Sequence, residues 1–214
     1  MIAKEGRLIL ITMLVFIFPF GIYTHASGIK ILYYLYLFFG SFYIFTIYFF
    51  RDPLRKIPID TSAILSPADG KVVSIKIIND DEVGDSSQVI SIFLNLFNVH
   101  TFRYPFDGKV KSVSTNKGKF IAAFADNASD VNEQIVTVIK ANDHTFKIKQ
   151  IAGLVARRIL CYAFPNQIVK KGERMGFIRF GSRADIVVSS NVKICVNIGE
   201  KVKAGESVIA RIKQ

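Results

Sequence analysis

Lys71-Val-Val-Ser-Ile-Lys-Ile-Ile78 decides the fold, because the segment is short and dominated by β-branched residues, as strands are. Segments of the same character recur along the chain, at residues 89–94, 109–113, 134–139, 145–151, 185–188 and 192–196. Turn signals separate them, at residues 67–70, 106–108, 141–144 and 199–200. From about Ala63 onward the sequence therefore predicts a mainly β domain, barrel-like or sandwich-like. Only residues 154–162 are expected to form a short helix.

Two local patterns predict hammerhead-like hairpins within this domain. The core Asp-Gly-Lys-Val occurs at residues 69–72 and again at 107–110, and residues 196–210 carry the rhythm Gly-x-x-Val-x-x-Gly. This Gly-x-x-Val-x-x-Gly pattern is typical of biotinyl and lipoyl carrier domains, but by itself it indicates only turns between short strands. A carrier would also need an exposed lysine at a hairpin tip, flanked by Met or by Asp and Ala. The sequence lacks this feature, which argues against a swinging-arm carrier.

The first fifty residues differ from the rest of the chain. Two apolar runs, Leu8–Tyr23 and Ile31–Phe50, are separated by a short polar break at residues 24–30. About 20 apolar residues cross a bilayer core, so residues 1–52 are predicted to be a membrane-associated helical hairpin and residues 53–214 the β domain. A re-entrant hairpin fits the same pattern. A cleaved signal peptide fits less well, since a second apolar run follows at once.

Basic residues flank the outer ends of both apolar runs. Lys4 and Arg7 precede the first, and Arg51, Arg55 and Lys56 follow the second. By the positive-inside rule both ends lie in the cytoplasm. The expected location is thus the cell (inner) membrane, with the β domain on its cytoplasmic side.

The net charge of +11 indicates an anionic partner. The lysines are spread singly, without a long basic tract or a zinc-finger spacing, which favours an anionic lipid surface over nucleic acid. The two cysteines, Cys161 and Cys195, are far apart in apolar surroundings and are expected to be small buried residues, with a disulfide between them as the alternative. No metal-ligand spacing is visible, so no metal site is expected.

Gly181-Ser182 lies between two apolar, strand-like stretches. Such a pair is ordinarily a turn, but it can also be a self-cleavage point. Glycine permits strained backbone and leaves its carbonyl carbon open to attack by the serine hydroxyl once a base activates that hydroxyl. The resulting ester can undergo β-elimination, and hydrolysis then leaves a pyruvoyl group at residue 182.

The chain resembles the pyruvoyl-dependent phosphatidylserine decarboxylases, particularly their short, archaeal-type branch. Several motifs in the same order carry the resemblance: residues 50–53, 66–70, 98–100 with 103–105, 132–133, 150–159 and 176–182. The resemblance implies cleavage into a β chain of residues 1–181 and an α chain of residues 182–214, associated as a heterodimer or a higher oligomer. It also implies a pyruvoyl cofactor derived from Ser182, which forms a Schiff base with phosphatidylserine in the membrane and releases CO2 and phosphatidylethanolamine.

The resemblance also assigns helper residues. Asp69 matches the acidic member of the self-processing group, although it is equally a turn residue. His100 matches a family histidine and is expected to be the proton donor after decarboxylation and a candidate processing base. Alternatively, it is a satisfied, half-buried histidine.

Arg103 replaces a second histidine of the longer bacterial enzymes, and an arginine cannot act as a general base. It could instead pair with Asp69 or hold the substrate carboxylate or phosphate. Arg157 and Arg179 are further candidates for binding the lipid phosphate.

Two alternatives remain open at this point. One is a membrane-anchored hammerhead-type binding module without catalysis, which would not be cleaved. The other is a pyruvoyl decarboxylase for a different amine. The apolar hairpin favours a lipid substrate but does not prove one.

Overall fold

The structure, a computed structural model, describes residues 1–125, 127–154, 158–179 and 181–213. The chain divides into two compact units, Met1–Leu54 and Arg55–Gln214. The division falls two residues after the predicted boundary.

The first unit is a pair of apolar helices, α1 (Lys4–Ser27) and α2 (Lys30–Phe49). At 1.5 Å per residue they are about 36 and 30 Å long, which matches a hydrocarbon core of about 30 Å. Gly28 ends α1 with a left-handed φ of 67°, which lets the chain turn back within three residues. Both helices expose large apolar side chains along their length, and both are long and apolar enough to cross a membrane.

The second unit is mainly β. Its strands are β1 (Ala63–Leu65), β2 (Gly70–Asp80), β3 (Gly84–Leu94), β4 (Thr101–Arg103), β5 (Gly108–Asn116), β6 (Gln134–Ala141), β7 (His144–Ala152), β8 (Ile159–Cys161), β9 (Ile168–Val169), β10 (Arg174–Ile178), β11 (Ser182–Val188), β12 (Val192–Ile194), β13 (Lys201–Val202) and β14 (Val208–Ile212). One short helix, α3 (Ala128–Val131), precedes β6.

Within the described residues these strands form three sheets. The largest is a curled, eight-stranded half-barrel with the order β13-β2-β3-β11-β7-β6-β5-β9. Two three-stranded sheets, β1-β14-β12 and β4-β10-β8, accompany it. The prediction of a mainly β, barrel-like fold, preceded in the chain by an apolar helical pair, is confirmed.

Strand β11 lies inside the large sheet and pairs antiparallel with β3 and β7. All seven of its residues are buried. One face of these strands packs into the apolar core, through side chains such as Ile92, Ile148 and Ile186. A strand with both neighbours occupied and both faces covered is held from all sides, so whatever stands at its first residue is firmly positioned.

Two local expectations were wrong. The helix predicted for residues 154–162 is wrong for residues 159–161, which form strand β8, because they pair with Gly176–Ile178 of β10 and this long-range pairing overrides the local pattern. Residues 155–157 of that prediction lie outside the described residues. Neither cysteine is fully buried: Cys161 is half-buried and Cys195 is exposed, and both are free thiols.

Candidate functional site

Ser182 is the first residue of β11 and is completely buried. It pairs with Leu94 on one side and with Ala152 on the other. Its Oγ has no hydrogen-bond partner anywhere in the described parts of the chain. Because buried hydroxyls almost always have a partner, an orphaned one suggests a functional role.

The residue before it, Gly181, has a φ of 65°, in the left-handed region that favours glycine. Its carbonyl lies against the backbone of Gly153. A Cβ built on Gly153 would lie only 2.4 Å from Gly181 O, and such a contact cannot exist. Gly153 is therefore glycine because the Gly181 carbonyl occupies the space of a side chain. This cradle fixes the carbonyl that the Ser182 hydroxyl would have to attack.

Asn132 stabilises the backbone next to Gly153. Its Nδ2 donates to Ala152 O at 2.8 Å and to Ile121 O at 2.9 Å, while its Oδ1 accepts from the Ile121 amide at 2.9 Å. The side chain is 2% exposed, so these bonds are shielded from water. They tie the segment around Ile121 to the end of β7, directly beside Ser182 and Gly153.

His100 is completely buried on the segment that links β3 to β4. Its Nδ1 lies 3.0 Å from Asn98 O. A carbonyl can only accept, so Nδ1 carries the proton in the neutral ring and Nε2 is the basic nitrogen.

The segment that carries His100 runs beside the segment that ends at Ser182. Leu94 pairs with Ser182 at one end, and Thr101 pairs with Phe177 at the other. Between these ends, the Ile178 amide donates to His100 O at 3.3 Å. The two predicted catalytic residues thus lie on adjacent, antiparallel segments.

Gln150 is a candidate that the sequence analysis missed. It is completely buried in β7, and neither its Oε1 nor its Nε2 has a hydrogen-bond partner among the described residues. It pairs with Ala184 where Ala152 pairs with Ser182, so it is the diagonal neighbour of Ser182, within reach of a long side chain. Its polar group at an inward position of an otherwise apolar strand face is a signal visible in the sequence.

Asp69 lies just before β2, which is separated from β11 only by β3 in the large sheet. The Arg55 Nη2 donates to both of its carboxylate oxygens, at 2.8 and 3.0 Å, and the Ala204 amide donates to Oδ1 at 2.8 Å. The Arg55 side chain is 4% exposed, so this is a buried ion pair. Arg55, expected from the sequence only as a flanking charge of the hairpin, is thus the partner of Asp69.

Arg103 lies against the same turn. Its Nη1 donates to Gly172 O at 2.8 Å, and a Cβ built on Gly205, next to Ala204, would lie 3.1 Å from its Cδ. Asp69 and Arg103 therefore meet at the turn between β13 and β14. Arg179 is half-buried near the end of β10, and Arg157 lies outside the described residues.

A buried ion pair follows Ser182 directly. The Arg183 Nε donates to Asp185 Oδ1 at 2.9 Å, and the Arg183 Nη2 donates to Ser91 Oγ at 2.7 Å. On the other side, Ser129 Oγ donates to Asp185 Oδ2 at 2.5 Å. Both charged residues are at most 4% exposed. This pair, also missed from sequence, fastens the start of β11 to β3 and to α3.

Burial raises the pKa of the Tyr104 hydroxyl and of the Cys161 thiol, so both groups stay protonated and neutral at physiological pH. No group of three or more metal-binding side chains occurs in the described part of the chain.

Comparison with known proteins agrees with the geometry. The sequence profile of the family described as phosphatidylserine decarboxylase matches residues 42–210, which include every site residue above. The phosphatidylserine decarboxylase proenzyme of Chlorobium limicola is 43% identical over 168 residues, covering 78% of this chain and 79% of the relative.

Two further relatives carry the same name. The proenzyme of Desulfotalea psychrophila is 41% identical over 189 residues, which is 87% of each chain. That of Burkholderia pseudomallei is 44% identical over 172 residues, which is 80% of each chain. On the profile match and these identities, the chain belongs to the phosphatidylserine decarboxylase family.

Proposed function

We propose that this protein cleaves its own chain between Gly181 and Ser182 and uses the new end group to convert phosphatidylserine into phosphatidylethanolamine and CO2. One observation carries the proposal: the orphaned, buried Ser182 hydroxyl follows a left-handed glycine whose carbonyl is fixed against Gly153. The family membership and the printed name "proenzyme" of the relatives support it.

Cleavage needs no group from outside except water. The Ser182 oxygen attacks the Gly181 carbonyl carbon, and the peptide C–N bond breaks, which leaves an ester and a free amine on residue 182. Loss of the α-proton of residue 182 then expels the Gly181 carboxylate and leaves dehydroalanine. One water hydrolyses the tautomeric imine, releasing ammonia and leaving the pyruvoyl group.

The residues around position 182 fit such a group. Two small residues, Ala152 and Ala184, lie beside Ser182 on the same face of the sheet, and Gln150 is its diagonal neighbour. The pyruvoyl group supplies a ketone that condenses with the substrate amine and an adjoining carbonyl that withdraws electrons as CO2 leaves.

His100 and Gln150 are the proposed polar helpers of residue 182. His100 moves the proton through Nε2, since Nδ1 is bonded to Asn98 O. It accepts the proton of the Ser182 hydroxyl during cleavage and later protonates the carbon that has lost CO2. Gln150, whose buried amide has no partner among the described residues, would hold the pyruvoyl group by donating a hydrogen bond to it.

Arg103, Arg157 and Arg179 are the proposed partners of the substrate carboxylate and phosphate, since arginine recognises both in a bidentate manner. Asp69 is the proposed acidic helper of self-processing. Its contacts with Arg55 and Ala204 suggest that it acts by holding the turn between β13 and β14, which belongs to the part of the chain after the cut.

The two products of cleavage are the β chain, residues 1–181, and the α chain, residues 182–214. They stay associated as a heterodimer, because the α chain supplies β11 in the middle of the large sheet as well as β12 to β14. The helical pair holds the protein in the cell (inner) membrane, with its flanking basic residues and the catalytic unit on the cytoplasmic side, against anionic lipid.

Intact mass spectrometry under denaturing conditions tests the proposal. The wild-type chain of 24.0 kDa should give two fragments, one ending at Gly181 and one blocked by pyruvoyl at residue 182. Ser182→Ala should give one uncleaved chain that releases no CO2 from phosphatidylserine. An active wild-type protein that stays in one piece would refute the proposal, and faster CO2 release from free serine than from the lipid would point to another substrate.

A further inference from the structure

Four large apolar side chains lie exposed on the segments that follow β3, precede α3 and follow β7. Leu96, Phe97, Phe124 and Leu154 are 42, 63, 67 and 65% exposed. Single exposed apolar residues are common on soluble domains, but a cluster from separate segments usually marks an interaction surface. We refer to these four residues as the apolar rim.

Three of the rim residues, Leu96, Phe124 and Leu154, line one cavity, and Phe97 follows Leu96 in the chain. This cavity has a volume of about 210 Å³ and is lined by Phe93, Leu96, Ala122, Ala123, Phe124, Leu154 and Gly181. The Phe124 ring packs edge-to-face on Phe93, with centroids 5.9 Å apart, so the exposed ring has a fixed place. Gly181, the residue directly before the cut, therefore lines an apolar cavity that exposed apolar side chains surround.

Basic residues lie at the same edge of the sheet. The Ala152 amide donates to Glu133 O, and the Glu133 amide donates to Lys119 O. Since Ala152 pairs with Ser182, this chain of bonds places Lys119 at the edge beside the cut. Lys119 is exposed, as are Lys117 and Arg158, which precedes β8. Apolar side chains flanked by lysine and arginine are typical of surfaces that bind anionic membranes.

We propose that the apolar rim inserts into the interfacial layer of an anionic bilayer, so that the catalytic unit docks on the membrane with Gly181 and residue 182 at the lipid surface. The proposal rests on the proposed function in one respect, namely that the substrate is a two-chain lipid. Its headgroup can reach a site at the interface while its acyl chains stay in the bilayer, whereas a site turned to water would require extracting them.

Fluorescence quenching tests the docking directly. The chain has no tryptophan, so Phe124→Trp introduces a single reporter at the rim. The full-length protein, with Ser182→Ala to exclude turnover, is bound to vesicles of phosphatidylglycerol and brominated phosphatidylcholine. We expect a blue-shifted emission and at least twofold quenching by the bromines.

Ile77→Trp in the same background is the matched control. Ile77 is 75% exposed and pairs with Gln88, in the first half of β3. It therefore lies far along the sheet from Leu94, the last residue of β3, which is next to the cut. Its indole should stay unquenched although the helical pair keeps the protein on the vesicle. Equal quenching at both positions, or none at position 124 in vesicle-bound protein, would overturn the proposal. Neither outcome depends on catalysis.

A kinetic test separates the rim from the reaction. Phe97→Ser/Phe124→Ser should lower the rate on phosphatidylserine in vesicles at least tenfold and leave the rate on monomeric dihexanoyl phosphatidylserine within twofold of wild type. Ile77→Ser/Ile168→Ser, which changes two exposed residues away from the rim, should leave both rates unchanged. An equal loss on both substrates would contradict docking, and mass spectrometry verifies that each variant is cleaved.

Discussion

Gly153 and Gly181 are both glycine, but for different reasons. Gly181 needs its left-handed φ and has nothing within 4 Å of a built Cβ, whereas Gly153 has no room for a Cβ at all. Gly181→Ala introduces about 1 kcal/mol of backbone strain and should slow cleavage by up to about tenfold. Gly153→Ala must displace the scissile carbonyl and should slow cleavage by roughly a hundredfold or more.

The uncleaved fraction, followed over time on a denaturing gel, checks this order. Gly84→Ala is a matched control, since Gly84 also has a positive φ (114°) and open space around it, but lies at the far end of β3. It should be cleaved at the wild-type rate. Faster cleavage in Gly153→Ala than in Gly181→Ala would contradict the inference that Gly153 positions the Gly181 carbonyl for attack.

Gln150 should separate stability from activity. An amide buried without partners destabilises the fold, so Gln150→Leu should keep or raise the free energy of unfolding. If the amide bonds to the reacting group, the same variant should lower kcat of lipid decarboxylation about tenfold to a hundredfold with little change in KM.

Gln88→Leu should behave in the opposite way. The Gln88 Nε2 donates to Val192 O at 2.9 Å, away from the site, so its loss should lower stability and leave kcat unchanged. Urea denaturation and steady-state kinetics of both variants decide the matter. Unchanged kcat in Gln150→Leu would remove Gln150 from the mechanism.

At the scale of elements, β11 depends on the buried pair of Arg183 and Asp185. Asp185→Ala leaves a guanidinium buried without its carboxylate and should lower the free energy of unfolding by about 3–5 kcal/mol. Arg183→Met/Asp185→Leu removes both charges and should recover most of this loss. Urea titration of uncleaved Ser182→Ala protein measures both. If the double variant were as unstable as Asp185→Ala, the unpaired Arg183 charge would not be the cause of the lost stability.

A second ion pair, between Asp80 and Lys147, should make the β domain sensitive to acid. Burial disfavours the Asp80 carboxylate, but the Lys147 ammonium, 2.6 Å away, and the Glu82 and Val83 amides outweigh burial and lower the pKa of Asp80. The unfolded-state pKa is about 3.9, so the stabilisation is complete above that pH and is lost as the pH falls through the lower folded value.

The stability difference between wild type and Asp80→Asn, measured in urea, should therefore be largest near pH 7 and shrink at pH 3. A difference that stays constant over this range would mean that the Asp80 charge is not involved.

The sequence predicted the long strands β2, β3, β5, β6 and β7 because their pattern is local and repeated. It missed β8 because that strand has three residues and exists only through pairing with β10. Ser182 and His100 could be selected because they lie in contiguous motifs. Arg55 could not, since its role follows from Asp69, a neighbour distant in sequence. Gln150 stands out in the sequence as a polar residue on an apolar strand face, but its place beside Ser182 follows only from the pairing of β7 with β11.

At the scale of the whole molecule, cleavage should leave the fold unchanged while the two chains stay together. The α chain contributes a central strand, so native mass spectrometry should show one particle with the summed mass of both fragments. Under denaturing conditions the fragments should separate. Separation under native conditions would mean that β11 is not held by its neighbours.

The position of β11 has a further consequence for the life of the protein. Before the cut, β11 is tethered to the rest of the sheet, and its closure is an intramolecular event at an effective concentration in the millimolar range. After the cut, refolding becomes a bimolecular encounter, and unfolding is no longer a simple two-state equilibrium. Uncleaved Ser182→Ala protein should regain its structure after dilution from urea with a yield independent of concentration, whereas the cleaved enzyme should recover poorly at low concentration. After cleavage the enzyme would thus be stable kinetically. Its lifetime would depend on how slowly it unfolds and not on how readily it refolds.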